Sequence, residues 1–221
     1  MANTVVITGA NRGIGLAMAR QWHARGERVI AAAREASDDL HASGVTVVEG
    51  VDVTRDDGIA PLRDALAGER VDRLYNNAGV LIDENLAHMD FDTMRQQFEV
   101  NALGPLRVTH ALLDHMGEGG KVGLMTSRMG SIADNDSGGR YGYRMSKAAL
   151  NAAGKSLSVD LAPRGIAVAI LHPGYVRTEM TGGRGHITPD EAAERLIRRM
   201  DELDLATTGT FWHSDGSVLP W

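Results

Sequence analysis

Short apolar runs rich in β-branched residues alternate along the chain with longer stretches in which apolar positions recur at helical spacing. Thr4–Thr8 is apolar and stops at Gly9, which predicts a strand; Ile14–Arg25 has helical period and stops before Gly26. Arg28–Ala33 predicts a second strand, and Val45–Val48 a third that runs on towards Val51–Val53. Thr54, followed by Asp56 and Asp57, starts a helix that reaches Leu66, and Asp72–Tyr75 predicts a fourth strand closed by Asn76–Gly79. Phe91–Met116 reads as helix in two pieces broken near Gly104–Pro105, and Lys121–Thr126 as a fifth strand. Tyr143–Leu161 is an Ala-rich helix ended by Pro163 and Gly165. Ile166–Leu171 predicts a sixth strand, Pro189–Leu203 a final helix and Thr208–Trp212 a last strand. Near-continuous apolar strands alternating with helices are the pattern of parallel strands buried on both faces, so the expected fold class is α/β, a doubly wound parallel sheet of about seven strands flanked by helices. No linker, composition shift or repeat divides residues 1–221, and a single domain is expected.

Composition narrows what such a sheet is for. Of 221 residues 43% are hydrophobic and 24% charged, an ordinary globular balance, and 23 Lys and Arg against 29 Asp and Glu give a formal charge of −6. That sign argues against nucleic acid or an anionic membrane as a partner. The chain has no Cys, which excludes disulfides, thiolate zinc sites, iron–sulfur clusters and Cys nucleophiles. The eight His are scattered, and His110 and His115, five apart, miss the shared helix face of a metal pair, so no metal is expected. No apolar run is long enough to span a membrane, and Val5–Ile7 meets Gly9 too soon for a signal peptide, so a cytoplasmic protein is expected. The 26 Gly against 6 Pro imply many tight strand–helix turns, or backbone brought close to a ligand.

The first such turn is Thr8-Gly9-Ala10-Asn11-Arg12-Gly13-Ile14-Gly15, between the first strand and the first helix. Glycines there let backbone approach a pyrophosphate, whose charge meets the helix N-terminus, giving a Rossmann-type dinucleotide-binding half at the N-terminal end. A plain glycine-rich turn is the competing reading, and from this motif alone a methyltransferase stays open. A P-loop is disfavoured because no Gly-Lys-Ser/Thr follows. Tyr143 and Lys147 are four apart on a helix and share a face, where an ammonium could favour the phenolate; a surface Tyr–Lys pair is the plain alternative. Ser127 ends a strand beside a loop, with Ser131 as its competitor, and Asn101 could simply interrupt its helix and bind a backbone carbonyl.

Taken together these motifs resemble the short-chain dehydrogenase/reductase family. The resemblance rests on Thr-Gly-x-x-x-Gly-x-Gly at Thr8–Gly15, Asn76-Asn77-Ala78-Gly79, Asn101, Ser127-x-x-Gly130, Tyr143-x-x-x-Lys147 and Pro173-Gly174-Tyr175-Val176-Arg177-Thr178, all in family order. Gly142–Lys147 and Leu219-Pro220-Trp221 look like the branch of C-factor and sniffer-like carbonyl reductases. The resemblance implies an NADP(H)-dependent oxidoreductase that reduces ketones or aldehydes, with a catalytic tetrad of Asn101, Ser127, Tyr143 and Lys147. Tyr143 is the implied proton donor, Ser127 holds the carbonyl oxygen, Lys147 lowers the Tyr143 pKa and orients ribose, and Asn101 supports the relay. Implied cofactor contacts are Gly9, Asn11, Arg12, Gly13, Ile14, Gly15, Arg34, Asp52, Val53, Asn77, Ala78, Gly79, Pro173, Gly174, Val176 and Thr178, besides Tyr143 and Lys147. NAD-specific relatives place an Asp at the end of the second strand; here Ala33 stands there, followed by Arg34, and with Arg12 opposite it suits a 2′-phosphate, unless both are plain surface arginines. Asp52 is expected at the adenine amino group. The stretch Asp134–Arg140 is longer than the family pattern. The segment Glu179–Thr188 is short and glycine-rich, so an open substrate pocket lined by Met129, Tyr175 and Met180 is expected, with core filling as the alternative. Relatives pair helices into a homodimer or homotetramer, and Ala148, Ala149, Ala152, Ala153 and Gly154 would permit that, though they could equally pack on their own sheet. A catalytically idle nucleotide-sensing or signalling protein on the same fold is the alternative function.

Overall fold

A computed structural model describes residues 2–221. Successive side chains of β1 (Thr4–Thr8) point to opposite faces, and both faces are buried: Val5 and Ile7 on one side, Val6 on the other. The same holds for β2 (Arg28–Ala32), β4 (Arg73–Asn76), β5 (Lys121–Met125) and β6 (Ala167–His172). With the edge strands β3 (Thr46–Val48) and β7 (Thr210–His213) they form one sheet in the order β3-β2-β1-β4-β5-β6-β7. Every neighbouring pair is parallel. The expected doubly wound α/β sheet of seven strands is therefore the observed one.

Helices cover both faces, as strands buried on two sides require. On one face α1 (Gly13–Ala24) and α7 (Pro189–Glu202) supply Leu16, Met18, Trp22, Leu196, Ile197 and Met200 to a layer with Val5 and Ile7. On the other, α3 (Ala60–Leu66), α5 (Gly104–Leu112) and α6 (Tyr141–Leu161) bring Leu62, Val108, Leu112, Leu150 and Leu161 against Val6, Leu74, Leu124 and Ile170. The start of α7 is fixed locally: Thr188 accepts from Glu191 N while Glu191 reaches back to Thr188 N, a reciprocal cap of the kind worth about 1 kcal/mol.

Three boundaries differ from the sequence expectation. A short helix α2 (Asp38–His41), capped by Ser37, follows β2 where none is expected. Residues Phe91–Met116 are not broken at Gly104–Pro105. Instead α4 (Phe91–Phe98) runs through a π-helical turn at Glu99–Leu103 into α5, and Pro105 falls in the first turn of α5, where its missing N–H costs little. Helix α6 starts at Tyr141, two residues before Tyr143. The strand order reverses at β1, whose neighbours β2 and β4 are reached in opposite directions, and the crevice at their C-terminal ends is where such sheets take ligands.

Candidate active site

A cleft of about 720 Å³ opens at that reversal point. Its floor is the turn after β1, with Gly9, Asn11, Arg12, Gly13, Ile14 and Gly15 all lining it. Gly15 is required by close approach: a Cβ there would fall against Gly9 O and 2.6 Å from Asn77 Nδ2, which itself donates to Gly9 O at 3.0 Å. The N-terminus of α1 faces this floor with no side-chain cap and no acidic residue in its first turn, so its N–H groups and dipole are available to an anion. Arg34, Asp52 and Val53 line the β2–β3 side, Asn77, Ala78 and Gly79 the end of β4, and Thr178 and Met180 the far wall. Asp52 accepts from Thr54 N and Thr54 Oγ1 through one carboxylate oxygen, and these bonds hold its pKa below the ordinary value. Its other oxygen takes no part in them. Arg12 is ion-paired with Glu179 across the cleft mouth, a partner the sequence reading did not foresee. Among the described residues Arg34 makes no ion pair, and its charge falls on Asp52.

Beyond Gly79 the surroundings change from exposed charge to buried polar groups. Lys147 is 4% exposed; its Nζ donates to Met125 O at 2.8 Å and lies 5.7 Å from the centre of the Tyr143 ring. Burial pushes its pKa down to about 7. Tyr143 is raised by burial, an effect opposed by hydrogen bonding with Ser127 and by the charge of Arg140. Arg140 is a cation that opposes the effect of burial on the phenol, and Lys147, at about 7, keeps roughly half of its ammonium form at pH 7. Ser127 caps the turn Arg128–Gly130, accepting from Met129 N at 3.1 Å, whereas Ser131 accepts from Asp134 N. Of the two serines, Ser127 is therefore the one at the phenol.

Asn101 sits fully buried in the π-helical turn and grips the chain after β4: its Oδ1 accepts from Val80 N and its Nδ2 donates to Val80 O, both at 2.8 Å. The same Nδ2 donates to Ser146 Oγ at 3.0 Å, and Ser146 donates in turn to Tyr143 O. Ser146 is a positioning residue missed from the sequence; it shares the buried face of α6 with the polar Lys147, Asn151 and Ser158, so nothing local singles it out. A Cβ on Gly79 would stand 3.2 Å from Asn101 Oδ1 and 3.5 Å from Lys147 Nζ, so the missing side chain is what joins the cleft to the buried cluster.

Other expected contacts are not brought together. Pro173 and Gly174 lie outside the cleft lining, and Val176 is buried and bridges Ile187 instead. Met129, Tyr175 and Met180 do not line one pocket. Met180 lines the first cleft, Met129 a second cleft of about 360 Å³ beside Arg140 and Arg144, and Tyr175 packs edge-on to His186. For Tyr175 and Met180 the reason is that Glu179–Thr188 does not hang free: His186 N donates to Tyr175 O and Arg177 N to Ile187 O, folding the segment back onto its own root.

Residues 3–187 match the short chain dehydrogenase model. The 1-hydroxy-2-glutathionyl-2-methyl-3-butene dehydrogenase of Rhodococcus sp. (strain AD45) is 44% identical over 225 residues, spanning 99% of this chain and 100% of that protein. The carbonyl reductase Sniffer of D. melanogaster superposes with a TM-score of 0.90 at 28% identity, covering 100% of both chains. A carbonyl reductase from Pseudomonas aeruginosa PAO1 in complex with NADP superposes with a TM-score of 0.88 at 33% identity, again over 100% of both. A match that runs from residue 3 to residue 187 takes in both the cleft and the buried cluster, and the chain belongs to the short chain dehydrogenase family.

Proposed function

We propose that the protein is an NADP(H)-dependent oxidoreductase that reduces ketones or aldehydes to alcohols. The observation that carries this is the buried Tyr143–Ser127–Lys147 cluster, which does not itself line the cleft but lies directly behind Gly79, a residue of its wall. The residues present fit the cofactor: an uncapped helix N-terminus and glycine floor for the pyrophosphate, Arg34 and Arg12 for a 2′-phosphate, and a free Asp52 oxygen for an adenine amino group. The NADP-bound Pseudomonas reductase supports that choice.

When bound, NADPH supplies the hydride that reaches the carbonyl carbon. Tyr143 gives its proton to the carbonyl oxygen, and Ser127 donates a hydrogen bond to that oxygen, stabilising the charge that develops there. Lys147, already held by Met125 O, has in its ammonium form two further donors for ribose hydroxyls. Asn101 fixes the Val80 backbone and, through Ser146, the start of α6. Thr178 lines the cleft and would help hold the cofactor, with Pro173, Gly174 and Val176 in the loop that leads to it, and Met129, in the neighbouring cleft, would meet the substrate. The Rhodococcus relative is named for an alcohol substrate, and the same site run backwards would oxidise one.

The test is NADPH consumption on addition of an activated ketone or aldehyde, with Tyr143→Phe alongside. Loss of the phenol removes the general acid, so kcat is expected to fall by about 10²–10⁴-fold while NADPH affinity stays within a few-fold. Wild-type turnover in Tyr143→Phe refutes the mechanism; NADPH binding with no turnover of any carbonyl favours the idle sensor, and a melting-temperature rise with S-adenosylmethionine but not NADPH favours the methyltransferase.

The same proposal takes in a single 1–221 domain, a cytoplasmic location and a homo-oligomer. No helix among the described residues is long and apolar enough to cross a membrane. Phe91 and Phe98 on α4 and Met145 on α6 are exposed apolar groups that a second copy would cover, although Gly154 packs on Ile170 of its own sheet.

A further inference from the structure

The second cleft, about 360 Å³, has no part in the scheme so far. Its walls come from Asp83–Asn85 after β4, Met129 after β5, and the stretch Ser137–Arg140 with Arg144 at the start of α6. It lies against the reacting end of the site. Arg140 is the residue just before α6, three before Tyr143, its charge acts on the Tyr143 phenol, and Met129 N is bonded to Ser127 Oγ.

Four charged side chains line this cleft, and they are not equally committed. Glu84 is 4% exposed, and its carboxylate is saturated by Gln97 Nε2, Thr93 Oγ1 and Gly142 N. Arg144 is spent on the loop itself, donating to Gly138 O, Gly139 O, Met129 O and Ser137 Oγ. Asp83 accepts from Arg140 Nε, an exposed contact of the kind that contributes little. What remains is the outer edge of the Arg140 guanidinium, whose Nη1 meets only the Met129 sulfur, at 4.0 Å. A planar pair of N–H donors without an oxygen partner, beside a polarizable apolar wall, suits a carboxylate on an apolar stem.

The backbone says that this arginine is held in place. Arg140 has φ 51° and ψ 48°, a left-handed conformation that a side chain with a Cβ rarely adopts. Its N–H donates to Glu84 O at 2.8 Å, and Arg144 clamps the two glycines before it. The longer Asp134–Arg140 stretch thus delivers one guanidinium to the rim of the site, and the charge of that guanidinium reaches the phenol.

We propose that this cleft is a subsite for the substrate's tail, and that Arg140 selects carbonyl compounds carrying a carboxylate remote from the reacting carbonyl. This rests on the reduction reading above and adds the substrate class to it. Two probes of matched shape separate the claims: 4-formylbenzoate and its neutral methyl ester, each assayed with NADPH. The expected result is a kcat/KM about tenfold higher for the carboxylate, a preference that shrinks as salt is raised. Arg140→Asn tolerates the left-handed backbone and removes the charge, so the carboxylate-to-ester ratio is expected to fall to about one, with Arg140→Lys recovering part of it. Asp83→Asn, which frees Arg140 Nε, is expected to raise the ratio. If wild type reduces both probes equally, or if Arg140→Asn keeps the preference, the subsite is refuted while the reduction reading stands. If neither probe is turned over but an activated neutral ketone is, the subsite again falls alone. If no carbonyl is reduced, both fall together.

Discussion

The two halves of the site meet at Gly79 and are built on opposite principles. The dinucleotide cleft is made of backbone: a glycine turn, an open helix N-terminus and a few exposed charges at its rim. The buried cluster is made of side chains taken out of water, with Lys147, Ser127, Tyr143 and Asn101 each under 9% exposed and each tied to a specific partner. A backbone site tolerates changes at the rim but not in the turn. A buried polar site is sensitive at every member, because each lost partner leaves a desolvated group behind.

The most damaging test of the backbone half is Gly15→Ala. The new methyl would press on Gly9 O, Ala10 Cα and Asn77 Nδ2, so the turn must open. A cost of about 1–3 kcal/mol in stability is expected, together with loss of NADPH binding. Unchanged melting temperature and unchanged affinity would show that the turn is not the tight element described.

The buried half is tested through pH. Lys147 titrates at about 7 in the folded protein against an ordinary 10.5, so between those values the unfolded chain holds a proton that the folded chain does not. Stability therefore rises with pH across this window, and below it the full cost of burying the ammonium is present. Lys147→Met removes the titration. Its melting temperature is expected to exceed that of wild type most clearly below pH 7, with the gap closing towards pH 10. A gap that stays constant over that range would mean that Lys147 is not desolvated as drawn.

The smallest effects belong to the cleft rim. Arg34→Ala is expected to lower the preference for NADPH over NADH about tenfold, from kcat/KM measured with each cofactor. Arg12→Ala should do less, because Arg12 starts out paired with Glu179, and Glu179→Gln should strengthen NADPH binding a few-fold, most at low salt. Equal effects of Arg12→Ala and Arg34→Ala would break the distinction between a paired and an unpaired guanidinium.

The same contrast explains what was legible in the sequence. Strand and helix periods, the glycine turn and the Tyr143–Lys147 spacing are local features, and local geometry alone puts Tyr143 and Lys147 on one helix face. So the sheet, its order of elements and most of the dinucleotide cleft could be read directly. The π-helical turn at Glu99–Leu103 could not be read, because it depends on Asn101 finding Val80 and Ser146, far away in sequence. Nor could the dispersal of Met129, Tyr175 and Met180: Glu179–Thr188 pairs with its own root at residues 175–177, and Met129 goes to the second cleft.

The sequence by itself determined which fold forms and which residue types are available to it, since periodicity, glycine placement and the absence of Cys act locally or by composition. Only the tertiary structure decided the ionisation of the site. Burial takes Lys147 to about 7 and raises Tyr143, and the packing of α6 against the turn after β5 brings Ser127 and the charge of Arg140 to bear on the phenol. Charge and desolvation are sums over everything nearby, and what is nearby is settled only when the chain has folded.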